Sequence, residues 1–220
     1  MTLPGVGAMP PEALDPYCTR CPRLAQALAE VRHAYPGYHG RPVAPFGDAR
    51  ARLLIVGLAP GLHGANRTGR PFTGDHAGLL LYRTLHRFGF ATGPESISAE
   101  DTLRLLGCRI TNAVKCWPPA NKPLPAEVRH CNGYLREELG ALGDRSVVLA
   151  LGAVAHGAVL KALGLPQATF VFAHGARHAL PGGLTLHDSY HCSRYNTQTK
   201  RLTEAMFETV VGRIAAELGG

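Results

Sequence analysis

The sequence predicts an α/β fold of three layers, α/β/α, around a central, mostly parallel, four-stranded sheet. Three observations carry that reading. Four short β-type runs are spread along the chain: RLLIVG (52–57), RITNAV (109–114), SVVLALG (146–152) and LTLHDS (184–189). The first three lack clean polar–apolar alternation, as expected of parallel strands buried on both faces. Helix-patterned segments separate the runs. The length of 220 residues, with 45% hydrophobic and 18% charged residues, suits one well-packed domain over residues 1–220.

The elements follow in chain order. Residues 1–16 are rich in Pro, Gly and Ala and are expected to be poorly ordered. A helix is predicted from Pro22 to Ala34, with Leu24, Leu28 and Val31 on one face. Residues 35–50 read as loop. After the first strand, HAGLLLYRTLHRFG puts Leu79, Tyr82, Leu85 and Phe88 on one helical stripe. SAEDTLRLLG reads as a further helix opened by a capping box from Ser98 to Asp101. LPAEVRHCNGYLREELGAL reads as a helix with Pro125 at its first position. AVAHGAVLKALG follows the third strand as a helix. TFVFA (169–173) is a candidate fifth strand, pairing with the last across HGARHALPGG. One final helix is predicted from near Asn196, carrying Leu202, Met206, Val210, Ile214 and Leu218 along one face.

The formal net charge is +7, mostly from arginine, and the pI is about 9.3. That balance suits a polyanionic partner such as nucleic acid. No apolar run approaches the ~18 residues of a membrane span. The N-terminus has no basic segment leading into an apolar core, so a cytoplasmic protein is expected. A monomer is expected as well.

In a parallel sheet, ligands sit at the carboxyl ends of the strands. Three segments with special chemistry collect there. They are GLAPGLHGANRTGRPFTGD (57–75), NAVKCWPPAN (112–121) and HDSYHCSRYN (187–196). The six cysteines add a second signal. Cys18 and Cys21 form a C-x2-C pair, and Cys116 and Cys131 a looser one. A chain without a secretory signal disfavours disulfides, and both zinc and an iron–sulfur cluster accept four thiolates. Cys108 reads as a small core residue, and Cys192 as a neighbour of the site.

These stretches together resemble the uracil-DNA glycosylase superfamily, and most nearly its family 5, the type-B branch that carries an iron–sulfur cluster. GLAPGLHGANRTGRPFTGD is similar to the first motif. TNAVKCWPPANKPLPAEVRHC is similar to the middle region, and HCSRYNTQT to the third motif. With CTRC near the start, the resemblance runs from about residue 17 to 210. It implies a structural [4Fe–4S] cluster on Cys18, Cys21, Cys116 and Cys131. It implies hydrolysis of the bond between a damaged base and deoxyribose, leaving an abasic site in DNA. The substrates implied are uracil and related deaminated bases, including hypoxanthine.

A base in a duplex has to be unstacked before its glycosidic bond is reached. On the resemblance, Gly57 and Gly61 let backbone approach the ligand and Ala59 lies in the base pocket. Arg67 and Arg70 grip phosphate. Phe72 is the stacking platform for the flipped base. The Asn112 amide matches the O4 and N3–H of uracil, and Asn121 makes a nearby contact. His191 donates to the O2 of the departing base, with His63 a lesser candidate. Arg194 and Tyr195 contact the duplex, as grip and wedge. Ala59 departs from branches that carry Asp, Asn or Glu at the corresponding place to handle the attacking water. Asp75 is therefore the nearest acidic candidate for that task, in competition with a role as helix N-cap. Two other functions compete: a non-catalytic nucleic-acid-binding module with a structural four-cysteine metal site, and a hydrolase of free nucleotides.

Overall fold

The structure, a computed structural model, describes residues 14–219. The expectation for residues 1–16 therefore falls, up to position 13, outside the described residues. The elements are α1 (Pro22–Ala34), β1 (Phe46–Gly47), β2 (Leu53–Gly57), α2 (Ala65–Thr68), α3 (His76–Arg87) and β3 (Cys108–Asn112). They continue with α4 (Pro125–Gly140), β4 (Val147–Leu151), α5 (Ala153–Ala162), β5 (Arg177–Ala179), β6 (Thr185–Ser189), α6 (Arg194–Gln198) and α7 (Glu204–Gly219).

The sheet runs in the order β1-β3-β2-β4-β6-β5. Its four central strands are parallel and match the four predicted runs. Two short antiparallel strands, β1 against β3 and β5 against β6, extend it to six. Strands of two and three residues are too short to leave a periodic signal in sequence. Within β2, Leu53 and Ile55 join the core under α3 and α7, while Leu54 and Val56 join the core under α4 and α5. Side chains alternate across a strand, so a strand buried on both faces has to be apolar throughout. A third, smaller core holds Leu24 and Leu28 of α1 against Val114, Cys116, Cys131 and Tyr134.

The structure corrects three sequence expectations. Residues 98–107 form no helix. Asp101 instead accepts hydrogen bonds from the backbone N–H groups of Ile97, Ser98 and Leu103, which a helix would have needed elsewhere. Residues 169–173 form no strand. Turn bonds begin the segment, and the Phe170 carbonyl accepts from His156 Nε2 at 2.8 Å, so its backbone serves α5 and not a ladder. The edge strand comes later, at Arg177–Ala179. The last helix is two: Ser193 caps α6 by accepting from Asn196 N–H, and Lys200 at φ 56° turns the chain before α7. Asn196 thus lies inside α6. Among the described residues, no helix is long and apolar enough to cross a membrane.

Candidate active site

A cleft of about 490 Å³ opens at the carboxyl ends of the parallel strands. The loop after β2 supplies Ala59, Gly61, Phe72 and Asp75, and β3 supplies Asn112. Asn121, Gly152, His191 and Arg194 complete the ring. A second, more open hollow adjoins it past Asp75 and Arg194, with His63 and Arg67 on its wall.

Gly57 ends β2 opposite Asn112 in the ladder. It does not line the cleft but makes it possible. A Cβ on residue 57 would stand 2.4 Å from Asn112 Oδ1 and 2.6 Å from the Phe72 ring. Only glycine lets the two side chains close over the strand end. Asn112 is 3% exposed, and among the described residues its Oδ1 has no hydrogen-bond partner. A buried acceptor left unpaired costs about 1–3 kcal/mol. In a cleft wall, such an atom is what a ligand N–H would satisfy.

Phe72 holds a left-handed backbone at φ 55°, costly for a bulky residue and found where surroundings over-determine it. Two contacts fix it. Tyr82 Oη donates to the Pro71 carbonyl at 2.7 Å. The Phe72 carbonyl lies against Gly78, where a Cβ would be only 1.9 Å away. The ring faces His191 in a stacked arrangement, centroids 5.7 Å apart. Phe72 is at once part of the core under α3 and a wall of the cleft.

The two oxygens of Asp75 have different surroundings. Oδ1 accepts the Gly78 N–H at 2.9 Å and caps α3. Oδ2 faces the glycine-rich loop, where a Cβ at Gly64 would stand 2.5 Å away and one at Gly61 3.6 Å. Burial raises the carboxyl pKa above the ordinary value, while the Gly78 and Ala77 N–H groups and His76 pull it down. Desolvation moves His191 the other way, down to about 4, so its imidazole is neutral at pH 7. The His191 carbonyl is pinned by Asn196 Nδ2 at 2.9 Å.

The remaining predicted residues divide. Ala59 sits between the cleft and the cysteine-rich core. Asn121 is held at the rim by Trp117 Nε1, which donates to its Oδ1 at 3.2 Å. Arg67 and Arg194 are exposed beside the cleft, and Tyr195 is 71% exposed. Arg70 is a correction. It is buried, pairs with Asp101, donates to the Ala99 carbonyl and lies over the Phe46 ring, so it holds the loop and offers phosphate nothing.

Cys18, Cys21, Cys116 and Cys131 line one recess with Leu24, His130 and Tyr134. Cys21 immediately precedes α1, Cys131 lies in α4, and Arg23 ties the two helices by a two-pronged bond to Glu127 at 2.8 and 2.7 Å. Two polar contacts reach the sulfurs: the Lys115 backbone N–H donates to Cys131 Sγ at 3.3 Å, and His130 Nδ1 lies 3.7 Å from Cys21 Sγ. Burial and the neighbouring thiols push Cys21 up to about 11. Cys108 and Cys192 are buried in the main core, outside the recess.

With this geometry in place, comparison with known proteins is informative. The family model for the uracil DNA glycosylase superfamily matches residues 44–215. The chain is similar to the type-5 uracil-DNA glycosylase of Thermus thermophilus, 50% identical over 88% of this chain and 90% of the relative. It is also similar to the type-5 enzyme of Pyrobaculum aerophilum, 44% identical over 92% and 89%. The chain belongs to the uracil-DNA glycosylase superfamily, family 5. A type-4 enzyme of Pyrobaculum aerophilum is more distant, 35% identical over 67% of this chain and 61% of its own length.

Sequence reasoning passed over two contributors to the family's cleft. The end of β4 and the turn after it supply Leu151 and Gly152 to the wall, and the same strand-end rule that found the other segments applies there. Lys115 is 1% exposed, and its Nζ donates to Thr111 Oγ1, to the Asn112 carbonyl at 2.9 Å and to Glu138 Oε1 at 2.8 Å. Nothing in a single sequence distinguishes a lysine that turns inward.

The His191 shift has a definite sign. Its folded pKa of about 4 lies below the ordinary 6.5, so protonation favours the unfolded chain. The stability it contributes is complete above pH 6.5 and is lost as pH falls towards 4. An NMR titration is expected to show the His191 ring still neutral at about pH 5.5. A midpoint near the ordinary histidine value would contradict the burial assigned to it.

Proposed function

We propose that this protein removes uracil from DNA by hydrolysing the N-glycosidic bond, leaving an abasic site for repair. One observation carries the reading. The buried, unpaired Asn112 Oδ1 stands in a cleft walled by Phe72 and bordered by Asp75 and His191. A uracil stacked on Phe72 would give its N3–H to that oxygen, and the amide N–H of Asn112 would reach O4. Hypoxanthine offers a similar N–H beside a carbonyl, which supports it as a further substrate.

As the glycosidic bond breaks, its electron pair leaves with the base and positive charge grows on the sugar. A neutral His191 keeps one ring N–H, and that N–H donates to the base O2 as negative charge grows there. Asp75 Oδ2, on the loop side of the carboxylate, orients the water whose oxygen joins C1′; the proton that water sheds is taken up by the departed base anion, so that the products are the neutral base and the abasic sugar. Oδ1 keeps the helix cap throughout. Ala59 leaves room without taking part. Gly61 lets the backbone approach, Asn121 borders the base, and Arg67, Arg194 and Tyr195 engage the duplex around the opening.

The four cysteines fit a [4Fe–4S] cluster. Around a single zinc, with Zn–S bonds near 2.3 Å, sulfurs stand about 3.8 Å apart. Among the described residues, the ligand atoms gathered within 4.8 Å of one another lie elsewhere, at His156, His178 and Asp188. Four cysteines lining one recess, with a backbone N–H donating to Cys131 Sγ, support a cluster. Bound there, it would supply a crosslink between the start of α1, the loop after β3 and α4.

Purified protein is expected to release uracil from a uracil-containing oligonucleotide, read as alkali-labile breaks. Asp75→Asn is expected to slow single-turnover release by roughly 10²–10⁴-fold while DNA affinity stays within a few fold. No release by wild type would sink the enzyme reading, activity on free deoxyuridine alone would favour a nucleotide hydrolase, and an unchanged Asp75→Asn rate would leave Asp75 only its cap. For the cysteines, metal analysis is expected to find about four irons per chain and a brown protein. A colourless protein with one tightly held zinc would contradict the cluster.

A further inference from the structure

At the opposite edge of the sheet from the cysteines, three side chains from three elements meet: His156 of α5, His178 of β5 and Asp188 of β6. Their ligand atoms all lie within 4.8 Å of one another. His156 Nδ1 is 2.8 Å from Asp188 Oδ1, and His178 Nε2 is 3.1 Å from Asp188 Oδ2. The Asp188 carboxylate is fully buried, and the ion-pair contacts it makes are both to imidazoles. The other face of the group is apolar, with Phe172 edge-on to His156 and Phe170 edge-on to His178.

Hydrogen-bond roles sharpen the picture. The carbonyl of Phe170 can only accept, so His156 Nε2, 2.8 Å away, is the protonated nitrogen. In the neutral ring, Nδ1 then carries a lone pair, and that lone pair points at a carboxylate oxygen. Such a contact is stable only if a positive charge sits between the two atoms. The charge is either a second proton on the ring or a cation. A histidine that gives one N–H to a backbone carbonyl and turns its other nitrogen towards a carboxylate and a second imidazole also has the outer-shell arrangement of metal-binding histidines.

We propose that His156, His178 and Asp188 form a second metal site, separate from the cysteines, for a zinc-class divalent ion. Two imidazole nitrogens and one carboxylate oxygen are a ligand set that zinc accepts, with water as the fourth ligand. The spacings of 2.8 and 3.1 Å are short of the ~3.3 Å between ligand atoms around zinc at bonds of 2.0–2.1 Å. Opening the triad by a few tenths of an ångström admits the ion. His178 is the most exposed of the three, with 14% of its side chain reached by solvent, and gives the route of entry. Binding would displace the proton held between His156 and Asp188. It would pin the edge strand β5 and the Phe170 segment to β6, two residues before Tyr190 and the loop that carries His191.

The test is metal binding by the intact, iron-loaded protein after weakly held metals are stripped. Zinc is titrated by equilibrium dialysis into wild type and His178→Gln, with iron content followed to show that the cysteines keep their load. Wild type is expected to take up one zinc per chain and to melt at a higher temperature with it. His178→Gln is expected to lose both effects and keep the same rate of uracil release. Equal uptake by both proteins, or uptake by neither, overturns the proposal. Should the variant not fold, anomalous diffraction at the zinc edge on wild type decides: a peak among the three side chains supports the site, and none there overturns it.

Discussion

The close approach at the end of β2 is the contact on which the cleft depends. Residue 57 has to lack a side chain, because Asn112 and the Phe72 ring both occupy the space a Cβ would need. The parallel register sets Gly57 beside Asn112, and the apolar character of the strands sets the register. Phe72 then accepts an unfavourable backbone conformation to bring its ring over the same point. The cost is borne by the bond from Tyr82, the contact on Gly78 and the packing of α3. Stable parts of the fold thus hold a strained wall and an unpaired amide oxygen ready for a ligand.

A second layer ties this cleft to the cysteine recess. Lys115 bonds the Asn112 carbonyl with its side chain and Cys131 Sγ with its backbone N–H. The loop from Cys116 carries Trp117, which holds Asn121 at the rim. Ala59 touches both regions. A buried lysine–glutamate pair adds little net stability after desolvation, but its geometry is exacting. Its effect here is to orient the strand end that presents Asn112. The cysteine recess and the cleft accordingly share the same backbone.

The central fold was legible because buried parallel strands and amphipathic helices leave strong patterns in sequence. Pro125 marked a helix start correctly because proline fits where the N–H has no partner, and Pro22 stands at the same position in α1. Where the reading failed, a side chain had two possible employers. Asp101 looked like part of a capping box but serves a turn and Arg70. Arg70 looked like a phosphate grip from its loop, and only the fold shows the acidic partner thirty-one residues on that draws it inside. Asp75 competes between cap and catalyst in the sequence; in the structure its Oδ1 caps α3 and its Oδ2 faces the glycine-rich loop. The cleft residues were found through motif resemblance. The unpaired Asn112 oxygen, the strain at Phe72 and the burial of Lys115 need three dimensions.

The central claim is that a base-binding cleft is built on a residue without a side chain. The most direct measurement is the single-turnover rate of uracil release by Gly57→Ala, with DNA affinity, iron content and melting recorded beside it. The added Cβ would meet Asn112 Oδ1 at 2.4 Å, so one of the two groups has to leave its place. The account predicts a folded, iron-loaded protein that still binds DNA but excises uracil at least about 100-fold more slowly, a loss of about 2.7 kcal/mol in transition-state stabilisation. Release at close to the wild-type rate from a folded Gly57→Ala protein would contradict it.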